Sequence, residues 1–292
     1  MNGILNIFKP MGMSSFDVVR VVKKVAKTGK VGHTGTLDPE ATGVLPICIG
    51  RATKIIDYIM DSEKVYEVTF KLGIRTTTYD LEGEVLEERD TSNLSDNDIL
   101  NVIKEFIGEY SQVPPMYSAL KQNGVRLYEL ARKGIEVERE GRLINIYNIE
   151  DINIDNPYVS MKVTCSKGTY IRSLCYDIGE KLGVFATMTK LNRSKTSVFS
   201  QENSININDL TEENIENYVI TMEEALNKYE SITVYGKYTK LLINGVRVAD
   251  NRFTKDKVIN SVLYRVYDEN KNFIGLGKRN NFGFKIEKLL II

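Results

Sequence analysis

The stretch VGHTGTLDPEATGVLP, residues 31–46, constrains the fold more than any other part of the chain. Its three glycines allow tight turns or a close approach to a ligand, and Asp38 directly precedes Pro39, which disfavours helical dihedrals. The run that follows, Val44–Gly50, is continuously apolar and predicts a strand buried on both faces. We therefore predict an irregular loop, mounted on a core strand, that holds a carboxylate in a fixed place.

Two interpretations of this loop are open on the residues alone. His33 is the only histidine of the chain, and a lone histidine is more often a hydrogen-bonded structural residue than a catalyst. Asp38 before a proline commonly forms an Asx turn or caps a helix. The alternative is a reactive carboxylate on a preset loop, and spacing alone favours the structural interpretation.

Length and composition describe an ordinary globular protein. The 292 residues allow one large domain, or a large and a small one, at about 100 to 200 residues per domain. No apolar run approaches the roughly 20 residues that cross a bilayer, and MNGILNIFKP lacks the features of a signal peptide, so we expect a cytoplasmic location and no membrane partner. Three cysteines without CxxC spacing predict reduced core thiols, and with a single histidine no zinc site is expected: Cys48, Cys165 and Cys175.

Charge is distributed in blocks, although 39 basic and 39 acidic residues cancel over the whole chain. Residues 1–60 hold eight basic and four acidic residues, and residues 230–292 hold twelve and six. Acidic residues dominate 61–110, at thirteen to five, and 201–229, at seven to one. Basic ends suit a polyanionic partner, but a solvated mixture of charges explains the pattern equally well.

Local patterns predict several elements along the chain. Ser14–Asp17 has the form of a capping box, so a helix with a basic outer stripe should follow it. Alternating residues predict strands at Val65–Leu72 and Tyr158–Cys165, and a helix should follow the second one, with Arg172 at the strand-to-helix junction. Pro114–Arg142 mixes basic residues with tyrosines, which is typical of either a nucleic-acid flap or a surface hairpin.

The C-terminal part differs in composition from the rest. Residues 201–229 have the character of an acidic connector, and residues 231–292 consist of short strand-like segments. Turns are predicted between these segments, among them one at Gly275–Gly277. We therefore predict a small, basic, β-rich second domain.

Five motifs, taken in order and with their gaps, resemble the TruB family of bacterial tRNA pseudouridine-55 synthases. They are KPMGMSSFD, GHTGTLDPEATGVLPICIG, KVYEVTFKLGIRTTTYD, PPMYSALKQNGVRLYELARKG and CSKGTYIRSL. The resemblance covers residues 3 to about 200. The C-terminal part resembles the PUA-type RNA-binding domain of this family, mainly through the segment FIGLGK and its basic β composition.

The resemblance implies an α+β fold, with a mixed or antiparallel sheet of the pseudouridine-synthase type flanked by helices and loops, and a small PUA-like β domain. It implies a catalytic domain at 1–229, with an RNA-binding insertion at about 112–142, and the RNA-binding domain at 230–292. The family's catalytic aspartate falls on Asp38, and Arg172 matches the residue that pairs with it. The other matched positions contact the flipped nucleotides: His33, Tyr66, Tyr170 and Leu191.

The implied activity is isomerisation of uridine-55 in the T-arm of tRNA by a monomer, with no cofactor and no metal. A hydrolase or an NTPase is disfavoured because neither G-x-S-x-G nor G-x-x-x-x-G-K-[ST] occurs. A protein that binds and folds tRNA without chemistry is the stronger alternative.

Overall fold

The computed structural model describes residues 1–291. Its α-helices are α1 (Ser15–Val25), α2 (Ile56–Met60), α3 (Asp96–Lys104), α4 (Leu127–Ala131), α5 (Ile171–Leu182), α6 (Met222–Ala225) and α7 (Gly236–Ile243). Its strands are β1 (Gly3–Lys9), β2 (Val31–His33), β3 (Thr42–Ile49), β4 (Lys64–Leu72), β5 (Ile74–Thr76), β6 (Val85–Glu88), β7 (Gly108–Gln112), β8 (Lys121–Gln122), β9 (Val125–Arg126), β10 (Arg142–Asp155), β11 (Tyr158–Cys165), β12 (Ala186–Thr196), β13 (Phe199–Ser200), β14 (Ile205–Asn206), β15 (Val219–Ile220), β16 (Ser231–Thr233), β17 (Leu263–Tyr267), β18 (Phe273–Asn280) and β19 (Gly283–Leu289). Short 3-10 turns lie at Gly50–Ile55, Gln201–Asn203, Ile207–Asp209, Ile215–Tyr218 and Asn251–Phe253.

The chain forms two compact units. The terminal unit comprises residues 1–38, 44–61 and 197–291, and the central unit comprises residues 39–43 and 62–196. The first boundary falls between Asp38 and Pro39, inside the loop that the sequence singles out. The proposed division into domains 1–229 and 230–292 remains a prediction.

An antiparallel sheet with strand order β12-β4-β11-β10-β7 forms the central unit. The strands predicted at Val65–Leu72 and Tyr158–Cys165 are confirmed as β4 and β11. Val68 and Phe70 of β4 are buried, whereas Glu67, next to Val68, is exposed, as the alternation predicts. Helix α5 packs against β12, so this sheet carries the junction at which Arg172 lies.

In the terminal unit, β1 lies between β14 and β3, and β2 pairs with β3 in the antiparallel direction. Strand β3 is buried from Gly43 to Ile49, which confirms the predicted core strand after the loop. Helix α1 begins with the predicted capping box, in which Ser14 and Asp17 bond each other's backbone N–H groups. The acidic segment 201–229 is more than a connector, because its strands β14 and β15 both pair with β1.

The C-terminal segment of the terminal unit contains a four-stranded sheet in the order β16-β17-β18-β19, which confirms the prediction of a β-rich segment. Phe253, Tyr264 and Phe284 form part of its core. Two of its leucines, Leu276 and Leu290, belong instead to the core cluster around β1 and β3. The sheet is therefore tied to the first residues of the chain by buried apolar contacts.

The turn predicted at Gly275–Gly277 is wrong, because both glycines lie inside β18. Gly275 has a φ of 151°, and a Cβ there would collide with the carbonyl oxygen of Lys288 in the neighbouring strand. A Cβ at Gly277 would overlap the ring of Phe284. These glycines permit close packing within the sheet rather than a reversal of the chain.

Candidate active site

The loop that carries Asp38 is clamped to the first helix. The buried hydroxyl of Ser15, the first residue of α1, accepts a hydrogen bond from the backbone N–H of Leu37 at 2.8 Å and donates one to the Leu37 carbonyl at 2.9 Å. Leu37 itself is 4% exposed. Asp38, which is half-buried, thus lies between a residue held on both sides of its backbone and a proline.

His33 lies at the other end of the same loop, as the last residue of β2, opposite Ile47 of β3. Just after it, the N–H of Thr34 donates to the carbonyl of Pro46 at 3.0 Å, which continues the pairing of the two strands. His33 and Asp38 both belong to the terminal unit, and the described contacts fix the backbone at both positions.

The far side of the loop enters the central unit beside Leu191. Thr42 and Gly43 pair in parallel register with Asn192 and Arg193 of β12, and the Thr42 hydroxyl donates to the Asn192 side chain at 3.1 Å. Gly43 has a φ of 112°, and a Cβ there would overlap the Arg193 carbonyl. Only glycine therefore allows the loop to join the strand that carries Leu191.

Tyr66 lies in the middle of the central sheet and is 7% exposed. It stands opposite Val163 of β11 and Arg193 of β12. Leu191 lies on β12 opposite Val68, two residues along from Tyr66 on β4. The sheet therefore brings Tyr66 and Leu191 onto adjacent strands at neighbouring register positions.

Arg172 is held at the start of α5 by groups that sequence reasoning missed. Its side chain is 7% exposed, and Nη1 donates to Oδ2 of Asp80 at 3.1 Å and to the carbonyl of Thr78 at 3.2 Å. Nη2 donates to the carbonyl of Tyr117 at 2.8 Å. A buried arginine needs such a carboxylate, because an uncompensated charge in the interior is costly. The sequence does contain a signal for Asp80, because this aspartate ends the motif KVYEVTFKLGIRTTTYD, one of the five that carry the family resemblance.

The pairing of Arg172 with Asp38 remains a prediction. Asp80 is itself well held: the Thr78 hydroxyl donates to its carboxylate, and the N–H of Glu82 donates to Oδ1 at 3.1 Å. The guanidinium is thus fixed in direction by one carboxylate and two carbonyls, which its several donors reach in fixed, planar directions that the ammonium group of a lysine cannot reproduce.

Tyr170 is the N-cap residue of α5, two positions before Arg172. The side-chain amide of Gln112, at the end of β7, holds its backbone: the Tyr170 N–H donates to Oε1 at 2.8 Å, and Nε2 donates to the Tyr170 carbonyl at 3.1 Å. Nothing in the sequence pattern identified Gln112. It lies two residues before Pro114, so its hydrogen bonds join the beginning of the predicted insertion to the start of α5.

The three cysteines are core residues. Cys48, Cys165 and Cys175 are free and buried, as predicted, and burial raises the pKa of Cys48 to about 12 and that of Cys165 to about 11.

Across residues 1–291, no three His, Cys, Asp or Glu side chains are grouped so as to hold a metal ion. None of the helices in that range has the length and apolar character of a bilayer span.

Solved structures with a similar fold define the class of protein. A structure of a Cbf5–Nop10–Gar1 complex contains a chain that matches with a TM-score of 0.77 and 27% identity, over 98% of this chain and 84% of that one. An H/ACA ribonucleoprotein bound to a substrate RNA containing 2′-deoxyuridine matches with a TM-score of 0.75 and 25% identity, over 99% and 85%. The fold is the mixed α+β fold of the pseudouridine synthases, as the sequence predicted.

Sequence comparisons resolve the family within that class. Residues 23–171 match the model of the TruB family pseudouridylate synthase N-terminal domain, and residues 172–229 match that of the tRNA pseudouridylate synthase B C-terminal domain. Proteins named tRNA pseudouridine synthase B from Clostridium perfringens and Clostridium tetani are 63% and 58% identical to this chain, each over 100% of it and 99% and 100% of their own length. The corresponding protein of Alkaliphilus oremlandii is 48% identical over 95% of this chain and 93% of its own. The chain therefore belongs to the TruB family of pseudouridine synthases, which are isomerases.

Proposed function

We propose that this protein converts uridine-55 in the T-arm of tRNA to pseudouridine, acting in the cytoplasm as a monomer. Its relatives are named for action on tRNA, and the five motifs point to position 55. The observation that carries the proposal is the two-sided clamp of Ser15 on Leu37, which fixes the backbone that presents Asp38. A structural aspartate in a surface turn does not need such a clamp on the preceding residue.

The reaction rearranges one nucleotide without an external reactant. The bond from C1′ of the ribose to N1 breaks, the uracil turns, and a bond from C1′ to C5 replaces it, while the hydrogen leaves C5 and N1 gains one. A stacked uridine must first be extruded, at a cost of a few kcal/mol that contacts in the site offset. Asp38 acts in its ionised form, either as the nucleophile or by assisting proton removal at the sugar.

The remaining site residues bind the nucleotide. Tyr66 contributes an aromatic ring against the base and serves in the deprotonation of C5, and Leu191 supplies an apolar wall. His33 positions the RNA displaced by extrusion. Tyr170 contacts the flipped nucleotide, and Arg172, whose direction Asp80 fixes, is the residue that we expect to pair with Asp38 and to favour its ionised form.

Release of tritium from C5-labelled uridine in tRNA measures the reaction directly. Asp38→Asn keeps the shape of the side chain but removes its charge, so we expect no release while binding to tRNA persists. Asp155→Asn, at the exposed end of β10, is the matched control and should retain wild-type turnover. Turnover by Asp38→Asn would refute the catalytic role.

Two further outcomes test the substrate. A tRNA with cytidine in place of U55 should release no tritium from its other uridines, and release from it would refute position 55. Wild-type protein that binds tRNA and corrects its folding without any release would favour the non-catalytic alternative.

A further inference from the structure

A buried amide ties the end of β7 to the start of α5. Gln112 is 2% exposed, and it meets the backbone of Tyr170 as another strand would, accepting from the N–H and donating to the carbonyl. The Tyr170 carbonyl also accepts the first helical hydrogen bond, from the N–H of Leu174 at 3.0 Å. The N-cap of α5 has no side-chain cap of its own, so Gln112 is the side chain that fixes its direction.

The second N–H of the same amide continues the network into the unit's interior. Nε2 of Gln112 donates to the Tyr110 hydroxyl at 2.7 Å, and burial, together with the charge of Asp177, about two turns further along α5 than Tyr170, raises the pKa of that hydroxyl. All three polar groups of the amide are therefore used, and its orientation is fixed. A side chain placed only to fill space does not require this arrangement.

Two neighbouring hydrogen bonds also join the residues after β7 to the first turn of α5. The Ser173 hydroxyl donates to the carbonyl of Val113 at 3.0 Å, and Arg172 donates to the carbonyl of Tyr117. The first turn of α5 is thus held by the first residues of the predicted RNA-binding insertion. Among these contacts, only that of Gln112 acts on Tyr170 itself.

We propose that Gln112 is a positioning residue for the isomerisation: it sets the place of Tyr170, and through the helix start that of Arg172, without touching the substrate. The inference rests on the proposed function, because it assumes that Tyr170 and Arg172 act on the flipped nucleotide. A side chain that positions others affects turnover more than binding, since misplacement by about 1 Å can cost about 10²-fold in rate.

The test compares kcat and KM of Gln112→Ala and wild type by tritium release, at a temperature where circular dichroism shows both folded. We expect kcat to fall by about 10²-fold and KM for tRNA to change by less than about threefold, because many phosphate contacts share the binding. The matched control is Asn148→Ala, which removes an exposed amide from β10 of the same sheet and should leave both constants unchanged.

Gln112→Glu supplies a second test with the same size of side chain. The ionised carboxylate accepts from the Tyr170 N–H but cannot donate to the carbonyl or to Tyr110, whereas the protonated form regains one donor. The ratio of its kcat to that of wild type should therefore rise by about tenfold as the pH falls through the pKa of the new carboxyl group. A purely structural role predicts a ratio that does not depend on pH once both proteins are folded.

The outcomes separate this inference from the proposed function. Wild-type kcat in Gln112→Ala, or a raised KM with unchanged kcat, would overturn the positioning role while wild-type turnover still upheld the enzyme. If Gln112→Ala does not fold, the pH dependence of Gln112→Glu decides. Absence of turnover in wild type would overturn the proposed function and, with it, this inference.

Discussion

Asp177 offers a stability test that does not depend on any substrate. It is half-buried on α5, and burial raises the pKa of its carboxyl group from 3.8 to about 7; the hydrogen bond from Tyr110 opposes this shift and the charge of Glu180 adds to it. The folded protein therefore binds a proton more tightly than the unfolded chain. The resulting stabilisation is fully present below about pH 4 and is lost as the pH rises to about 7.

The magnitude follows from the size of the shift. At about 1.4 kcal/mol per pKa unit, the difference between 3.8 and 7 corresponds to about 4 kcal/mol in the free energy of unfolding, and solvent screening of a half-buried group reduces this to about 2 kcal/mol. Asp177→Asn is neutral at every pH and keeps an oxygen that accepts from Tyr110. We therefore expect the variant to be about 2 kcal/mol more stable than wild type at pH 8 and equal to it near pH 4.

Urea unfolding followed by circular dichroism at pH 4.5, 6 and 8 measures this difference. Asp155→Asn, whose carboxylate is exposed, is the control and should follow wild type at each pH. A difference between Asp177→Asn and wild type that is the same at pH 4.5 and pH 8 would refute the reasoning, as would a variant that is less stable at pH 8.

Four other predictions concern charged side chains, RNA binding and metal ions. Asp80→Asn leaves the Arg172 guanidinium buried without its carboxylate, so the free energy of unfolding should fall by about 3 kcal/mol in urea titrations; an unchanged midpoint would mean that the pair does not stabilise the fold. Arg172→Lys keeps the charge but loses the planar arrangement of donors, so it should lower tritium release even where the protein is folded. The logarithm of the affinity for tRNA should fall linearly with the logarithm of the salt concentration. Replacing the exposed C-terminal lysines Lys237, Lys240, Lys255 and Lys257 by alanine should reduce that slope by up to about 0.9 for each phosphate that is no longer neutralised. Equal slopes for the variant and wild type would mean that this surface does not contact RNA. Turnover should survive exhaustive chelation, and loss that Zn²⁺ restores would argue for metal chemistry.

Local patterns predicted the elements of this fold well because their causes lie within a few residues. The capping box at Ser14 marks the start of α1, since both halves of the box lie within one helical turn. Strand β4 was visible because one of its faces is buried and the alternation is regular. The pair of glycines in β18 was misread because glycine serves turns and close packing equally.

The partners in the candidate site were not predictable in the same way. Asp80 lies 92 residues before Arg172, and Gln112 lies 58 residues before Tyr170. Neither spacing has a period or a local motif, so only the fold brings each pair together. The sequence identified Arg172 as a residue at a helix start and Asp38 as a carboxylate in a loop, but it did not identify the groups that hold either position.

Contacts between motifs explain why the motifs occur together. KPMGMSSFD supplies Ser15, whose hydroxyl bonds the backbone of Leu37 in the motif that contains Asp38, so the first motif fixes the loop of the second. The motif ending in Asp80 meets CSKGTYIRSL at Arg172, and the third link joins that same helix start to the residues just before PPMYSALKQNGVRLYELARKG, through Gln112. Each of these contacts thus holds the backbone or the side chain at or beside a proposed site residue. A substitution in the supporting motifs should therefore lower turnover while leaving the reactive residue intact, and this distinguishes a held catalytic site from a set of independent surface turns.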